Sequence, residues 1–179
     1  MLNIILIALA VIVVLFIVVV ATRPADFRIT RSATIAAPAP EVFALVNDFH
    51  KWGAWSPWEK LDPALKRVYE GPPAGTGSVY SWAGNSQAGE GRMTITESRP
   101  GELILIKLEF LKPFQATNTT EFNFKSERDQ TTVTWTMTGH KNFMFKAVHL
   151  LMNMEKMLGG EFEKGLAAMK SAAETAPRH

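Results

Sequence analysis

From Phe143 to about Thr175, apolar residues recur at steps of three or four: Ala147, Leu151, Met154, Leu158, Phe162, Leu166, Met169 and Ala173. That is one stripe of a 3.6-residue helix, with Lys146, Asn153, Lys156, Glu163, Lys164, Lys170 and Glu174 over much of the remaining surface. Gly159-Gly160 interrupts the run, and each glycine costs a helix about 1 kcal/mol against alanine, so a break or kink is expected there. A long one-sided helix needs a sheet to cover it. Phe27 to Ala36 alternates with period two: Phe27, Ile29, Ala33 and Ile35 on one face, Arg28, Thr30, Ser32 and Thr34 on the other. This predicts a half-buried strand. Ala37-Pro38-Ala39-Pro40 stops it, and Pro40 opens a short helix, Glu41 to Val46, with its acid in the first turn. Leu65 to Glu70 reads as a short strand closed by the loop Gly71–Gly77. In the next strand Tyr80 and Trp82 alternate with Val79 and Ser81, which leaves its face open.

Four strands before His140 form an antiparallel meander whose register the side chains select. A turn at Pro100-Gly101 pairs Arg99 with Glu102 and sets Ile95 opposite Ile106, Met93 opposite Leu108 and Arg92 opposite Glu109. A slip of one residue would set apolar side chains against charges. A loop around Phe114 places Ile106 opposite Phe122, Leu108 opposite Thr120, Phe110 opposite Asn118 and Lys107 opposite Glu121. A turn through Glu127–Gln130 places Phe124 opposite Val133, Phe122 opposite Trp135 and Thr120 opposite Met137. One face is therefore apolar and meets the C-terminal helix. The other carries Arg92, Lys107, Glu109, Glu121 and the threonines Thr132, Thr134, Thr136 and Thr138, as a water-facing side does.

Residues 2–21 are apolar except Asn3 and, at about 1.5 Å per residue, reach across about 30 Å of hydrocarbon. This predicts an N-terminal anchor over residues 1–24 and one domain over 25–179, large enough for a single core. Val19-Val20-Ala21 also passes as a cleavage site, so a signal peptide is the rival. No basic residue precedes the run, and the run exceeds an ordinary signal core. Arg23, Arg28 and Arg31 follow it, and the positive-inside bias then puts the domain on the cytoplasmic side of a single-pass protein.

Composition removes several classes of function. The chain carries a net charge of +2 with no basic cluster among aromatics, so nucleic acid is not an expected partner. It has no cysteine, hence no thiolate nucleophile and no cysteine zinc site. His50, His140 and His149 lack the spacing of metal ligands, and no metal or cofactor is expected.

The order strand, short helices, antiparallel meander and closing helix is that of the helix-grip fold. Arg31-Ser32-Ala33-Thr34-Ile35-Ala36-Ala37-Pro38, Val42-Phe43, Asp48-Phe49 and Trp52-Gly53-Ala54-Trp55-Ser56-Pro57-Trp58 resemble the START-like superfamily. Gly77–Gly84, Gly89–Met93, Thr132–Trp135 and Phe162–Leu166 resemble, more narrowly, its SRPBCC, polyketide cyclase/dehydratase-type branch. The likeness covers about residues 27 to 175. It implies an α+β helix-grip fold, with a curved antiparallel sheet wrapped on a long C-terminal helix, to which the apolar run adds one preceding transmembrane helix. It also implies a cavity between sheet and helix for a hydrophobic small molecule or lipid. No catalytic motif of the family transfers residue by residue.

The register, the helix stripe and the aromatic roof together nominate the cavity lining: Trp55, Trp82, Met93, Ile95, Ile106, Leu108, Phe110, Asn118, Thr120, Phe122, Trp135, Met137, Leu151, Met154 and Leu158. Asn118 and Thr120 are polar positions on the apolar face, suited to orient a ligand or simply to satisfy a neighbouring group. Gly91 and Gly139, in the same row as Asn118, leave volume open there. Trp55, Trp58, Tyr80 and Trp82 roof the mouth or form a satellite cluster. Two rival functions stay open. A cyclase- or dehydratase-like enzyme needs an inward acid or base, for which Glu97 and His140 are the candidates. A membrane-bound interaction module with no ligand needs a filled core and an exposed apolar patch.

Overall fold

The computed structural model describes residues 1–151 and 153–175, without the side chains of Leu2, His149, Leu151 and Met154. An apolar helix α1 (Leu2–Thr22) leads into β1 (Asp26–Ile35) and α2 (Ala39–Asn47). Two 3-10 turns, Phe49–Ala54 and Pro57–Lys60, carry the tryptophan cluster. Then follow β2 (Lys66–Glu70), β3 (Val79–Ala83), β4 (Glu90–Arg99), β5 (Leu103–Lys112), β6 (Ala116–Glu127) and β7 (Gln130–His140). The chain closes with α3 (Phe143–Leu151) and α4 (Met154–Glu174). The sheet has the order β1-β7-β6-β5-β4-β3-β2, antiparallel throughout. This is the helix-grip α+β architecture.

Alternation places the core as expected: Ile29 and Ile35 of β1, Ile104 and Ile106 of β5, Phe122 of β6 and Val133 and Trp135 of β7 are buried. Only the second part of the long amphipathic stripe joins them. Phe162, Leu166, Met169 and Ala173 of α4 are buried, whereas Leu158 is half-buried and Met157 is exposed. Between helix and sheet lies a parallel stack of Phe162 on Trp135, centroids 4.1 Å apart and planes 1° from parallel. Trp55 and Trp58 meet the same indole edge-on at 5.6 and 5.5 Å. Gly165 makes room for this, since a Cβ there would lie 2.9 Å from the Trp135 ring.

The expected break at Gly159-Gly160 is not there. α4 runs through both glycines, and the helix is interrupted instead between Leu151 and Met154, where the Asn153 side chain accepts from the Lys156 amide at 3.0 Å. Asparagine caps the new helix by satisfying one of its free first-turn N–H groups. Gly159 has another role. Arg31 stands on the helix-facing side of β1, opposite Trp135, and a Cβ at Gly159 would lie 2.1 Å from its Nη2. The guanidinium crosses the bare backbone and donates from Nε to Glu163 at 2.7 Å and from Nη2 to Glu155 at 3.1 Å. These two acids stand one turn either side of Gly159, and their bonds raise the Arg31 pKa further.

The β6–β7 register is as the turn predicts. Between β4 and β5, Ile95 does face Ile106 and Met93 faces Leu108, but Arg99 pairs with Leu103 rather than Glu102. A bulge at Thr96 restores the expected pairing beyond it and turns Glu97 to the outer side, opposite Leu105, where it meets Arg99 at 3.0 Å. Between β5 and β6 the expected register is wrong by two residues: Ile104 faces Phe122, Ile106 faces Thr120, Leu108 faces Asn118 and Phe110 faces Ala116. A slip of two keeps every side chain on its own face, so hydrophobic pattern alone does not resist it. Lys107 consequently lies opposite Thr119 and pairs with Glu109 instead of Glu121, and Arg92 reaches Glu70.

Truncating Phe162 removes the ring stacked on Trp135 from a fully buried position. Phe162→Ala is expected to lower stability by about 3–5 kcal/mol, while exposed Lys156→Ala changes it by about 0.5 kcal/mol or less. Denaturant unfolding of the detergent-solubilised chain checks both.

Candidate functional site

Not all of the inner face is covered. Between the sheet, the tryptophan turns and the helical segment around Leu158 lies a cavity of about 420 Å³, within the size range of small-molecule sites. Nine of the nominated residues line it: Trp82, Met93, Leu108, Phe110, Asn118, Thr120, Trp135, Met137 and Leu158. Trp55, Ile95, Ile106 and Phe122 do not. They sit in the packed core beneath, because β6 is shifted two residues along β5 and Trp55 tucks its indole against Phe122 and Trp135. The side chains of Leu151 and Met154 lie outside the described residues. The structure adds Phe27, Trp52, Ser56, Glu59, Tyr80 and Ala116 to the wall.

The glycines do not leave the volume open. Over Gly91 lies the Trp82 ring, 2.3 Å from where a Cβ would be, and over Gly139 lie Asn118 Oδ1 at 2.0 Å and the Phe27 ring at 2.7 Å. Both glycines admit side chains that themselves line the cavity. β3 turns Tyr80 and Trp82 inward, since they pair with Met93 and Gly91.

Two buried polar atoms on this wall have no hydrogen-bond partner among the described residues: Thr120 Oγ1 and Trp135 Nε1. The contrast with other tryptophans is informative. Trp52 donates to the Val46 carbonyl, Trp55 to Leu45 and Trp82 to Ala88, at 2.9–3.0 Å. Leaving a buried donor or acceptor unpaired costs about 1–3 kcal/mol. Asn118 nearby makes one weak contact, from Nδ2 to the Met137 sulfur at 4.0 Å.

At the other side of the cavity stands a charge the strand pattern did not reveal. Glu59, from the second 3-10 turn, is the one carboxylate among the described lining residues. Its Oε1 accepts from the Tyr80 hydroxyl at 2.5 Å and its Oε2 from Arg67 Nε at 2.7 Å. Neither expected acid or base enters the cavity wall as a free inward group. Glu97 points outward, and His140, at the edge of the lining, is largely exposed with Nδ1 3.0 Å from Asp26 Oδ1. Glu59 was hidden because a 3-10 turn of four residues is too short for a period to show a face. The proline–tryptophan run around it was the available signal.

Burial first, and then the bond to Glu59, push the Tyr80 phenol far above its ordinary 10.0; burial and the Glu59 charge raise Tyr69 also. Since the fold disfavours phenolate, the unfolded chain releases these protons first. Stability is therefore full below pH 10.0 and falls as pH rises beyond it. Both tyrosines of the chain are affected, so phenolate absorbance is expected to appear only with alkaline unfolding. Tyr80→Phe should flatten the alkaline fall in Tm while Tyr69 leaves a smaller slope.

The comparisons with known proteins agree with this geometry. Residues 26–174 match the family described as polyketide cyclase / dehydrase and lipid transport. No curated protein matches the sequence. Among solved structures, the chain is similar to protein MLL2253 from Mesorhizobium loti, with TM-score 0.63 and 8% identity, over 85% of this chain and 100% of that one. A Thermobifida fusca protein solved by NMR gives TM-score 0.62 and 21% identity over 85% and 97% of the two chains. The di-domain ARO/CYC BexL from the BE-7585A biosynthetic pathway gives 0.64 and 19% over 88% of this chain and 53% of that one, so this chain spans about half of it. These likenesses establish the fold, and with a family match over most of its length the chain belongs to the polyketide cyclase/dehydrase and lipid transport family.

Proposed function

We propose that this protein binds a hydrophobic small molecule or lipid in the cavity between the sheet and the C-terminal helices, while residues 2–21 tether it to a membrane with the domain on the cytoplasmic side. In this reading residues 1–24 are the anchor and residues 25–179 the binding domain. The observation that carries it is the largely apolar cavity of about 420 Å³ with two unpartnered polar atoms, Thr120 Oγ1 and Trp135 Nε1, in its wall. Such a site binds by apolar burial, at about 25 cal/mol per Å², and orients its guest with a few hydrogen bonds. The volume left between tryptophans argues against an interaction module with a filled core. The tether is supported by the exposure of nearly every residue of α1, a helix apolar and long enough to span a bilayer.

A second reading, catalysis of the cyclase or dehydratase type, is favoured by Glu59. Its carboxylate lines the cavity and is fixed by Tyr80 and Arg67. Both oxygens already accept strong hydrogen bonds, which suits a structural or recognition role better than proton transfer. The two readings differ in what the cavity retains.

Organic extraction of the purified full chain, followed by mass spectrometry, is expected to recover an apolar compound. Ala116→Trp, which fills the cavity from β6, should abolish its recovery. Thr120→Val should weaken binding of 11-(dansylamino)undecanoic acid about 5- to 10-fold, the worth of one hydrogen bond. No extracted compound and no effect of either substitution would rule the binding reading out. Glu59→Gln should leave the extracted compound unchanged if the protein only binds. If it dehydrates its substrate, the variant should retain a compound heavier by one water.

A further inference from the structure

The geometry points to a cavity mouth that rests on the same bilayer α1 enters, so that the ligand passes between the acyl layer and the cavity without crossing bulk water. This rests on the reading that α1 is retained as a span and that the cavity binds an apolar guest. It adds where that guest enters.

The sheet has two unlike ends. Only Arg23, Pro24 and Ala25 separate α1 from β1, about 10 Å of extended chain at most. The start of β1 pairs with the end of β7, Asp26 with His140, and the pairings Gly139–Asn118 and Phe110–Ala116 carry the same end across to β5. The cavity's wall reaches this end, where Lys112, Pro113, Phe114, Lys141 and Phe145 line it. The turns at the far end are polar: Arg99 to Glu102, and Glu127 to Gln130.

At the near end several large apolar side chains are exposed beside the charged ones. Leu111, Phe114, Phe143 and Met144 are each half or more exposed. Phe114 and Phe145 face one another across the mouth, centroids 6.1 Å apart. α3 is also fastened to the end of the span. Val20 is fully buried, the one deeply buried residue of α1 among those described; α1 meets α3, and Lys146 Nζ donates to the Ala21 carbonyl at 3.4 Å. A helix joined to the last turn of a membrane span, with its phenylalanine and methionine uncovered, lies at the depth of the headgroups and the first acyl carbons. Arg23, Lys112, Lys141 and Lys146 stand at this level, against the acids Asp26 and Glu90, which complements anionic headgroups. A bilayer accounts for the exposed rim, the basic level and the attachment of α3 together.

The absence of cysteine makes single-site labelling clean. Phe114→Cys, Met144→Cys and, at the far end, Arg128→Cys are each labelled with NBD in the full chain. The labelled chains are reconstituted in vesicles of phosphatidylcholine and phosphatidylglycerol containing doxyl-labelled lipid. Quenching at positions 114 and 144 is expected to exceed that at 128 at least threefold, with blue-shifted emission. Equal quenching at all three positions overturns the membrane-facing mouth. Solvent extracts of the same samples report cavity occupancy separately, so a filled cavity with an undocked mouth is told apart from a docked mouth with an empty cavity. Release of the whole chain by alkaline carbonate overturns the tether and the docked mouth together.

Discussion

The contact on which the rest of the structure depends is the stack of Phe162 on Trp135. It holds the closing helix against the centre of the sheet at one end of the molecule, with Leu166, Met169 and Ala173 continuing the seal towards the C-terminus. On the other side of that stack no large apolar side chain of the helix is fully buried among the described residues, and Leu158 is half-buried. Arg31 holds it there instead, through Glu155 and Glu163 across the bare backbone of Gly159. An ion pair fixes distance without filling volume. The helix is thus set at the height that a guanidinium requires, and the space beside it, towards Leu158, Met137 and Phe110, stays open. A leucine at position 31 would have been the ordinary choice for an inward-facing strand residue. Its replacement by a partly exposed arginine separates closed core from open cavity.

Most of the fold was legible because parity is robust. Every meander strand kept its apolar side on the predicted face except Glu97, which lies past the bulge at Thr96. Longitudinal register was less legible, and for a definite reason. On β5 isoleucine, leucine and phenylalanine recur every second residue, and on β6 Phe122 and Phe124 share their face with Thr120, Asn118 and Ala116, so a displacement by two exchanges one inner-face pairing for another and leaves every charge on the outer face. The loop Lys112–Gln115, with no tight turn signal of the Asn-Gly kind, gave nothing to discriminate between them. The glycine pair in α4 misled by the opposite route. A local propensity of about 1 kcal/mol per glycine was outweighed by packing over the whole helix, and the asparagine that does restart the helix stood six residues earlier.

The site was legible where it is made of strands. Met93, Leu108, Phe110, Asn118, Thr120, Trp135 and Met137 were placed by alternation, and that was enough to bring them to one wall. Ile95, Ile106 and Phe122 follow the same alternation yet belong to closed core, because parity tells which side a residue faces and not how far along the strand the covering helix lifts. Glu59 and its partners were invisible for another reason. Tyr80 was left without a face by a strand whose two sides are almost equally apolar, and Glu59 sits in a turn. Their meeting at 2.5 Å depends on tertiary packing alone.

The distribution of polarity in the cavity bears on what it is for. Thr120 and Trp135, with their unpartnered atoms, sit deep, beside the rows that pack under α4, whereas the outer wall is built from Phe27, Phe110, Phe114 and Phe145. A guest arriving from water with an apolar body would have to bring its polar group past that aromatic outer wall, shedding hydration before any compensating bond forms. A guest arriving from the acyl layer meets the reverse order: its apolar portion never leaves an apolar medium, and its polar group is satisfied once it reaches Thr120. The same asymmetry bears on Phe145 and Leu158, which line the cavity and are only half-buried. On the proposed binding function their apolar partner is the cavity's guest, which does not belong to the folded core. Amphipathicity read from a sequence therefore identifies a face that must leave water, without naming the medium that receives it.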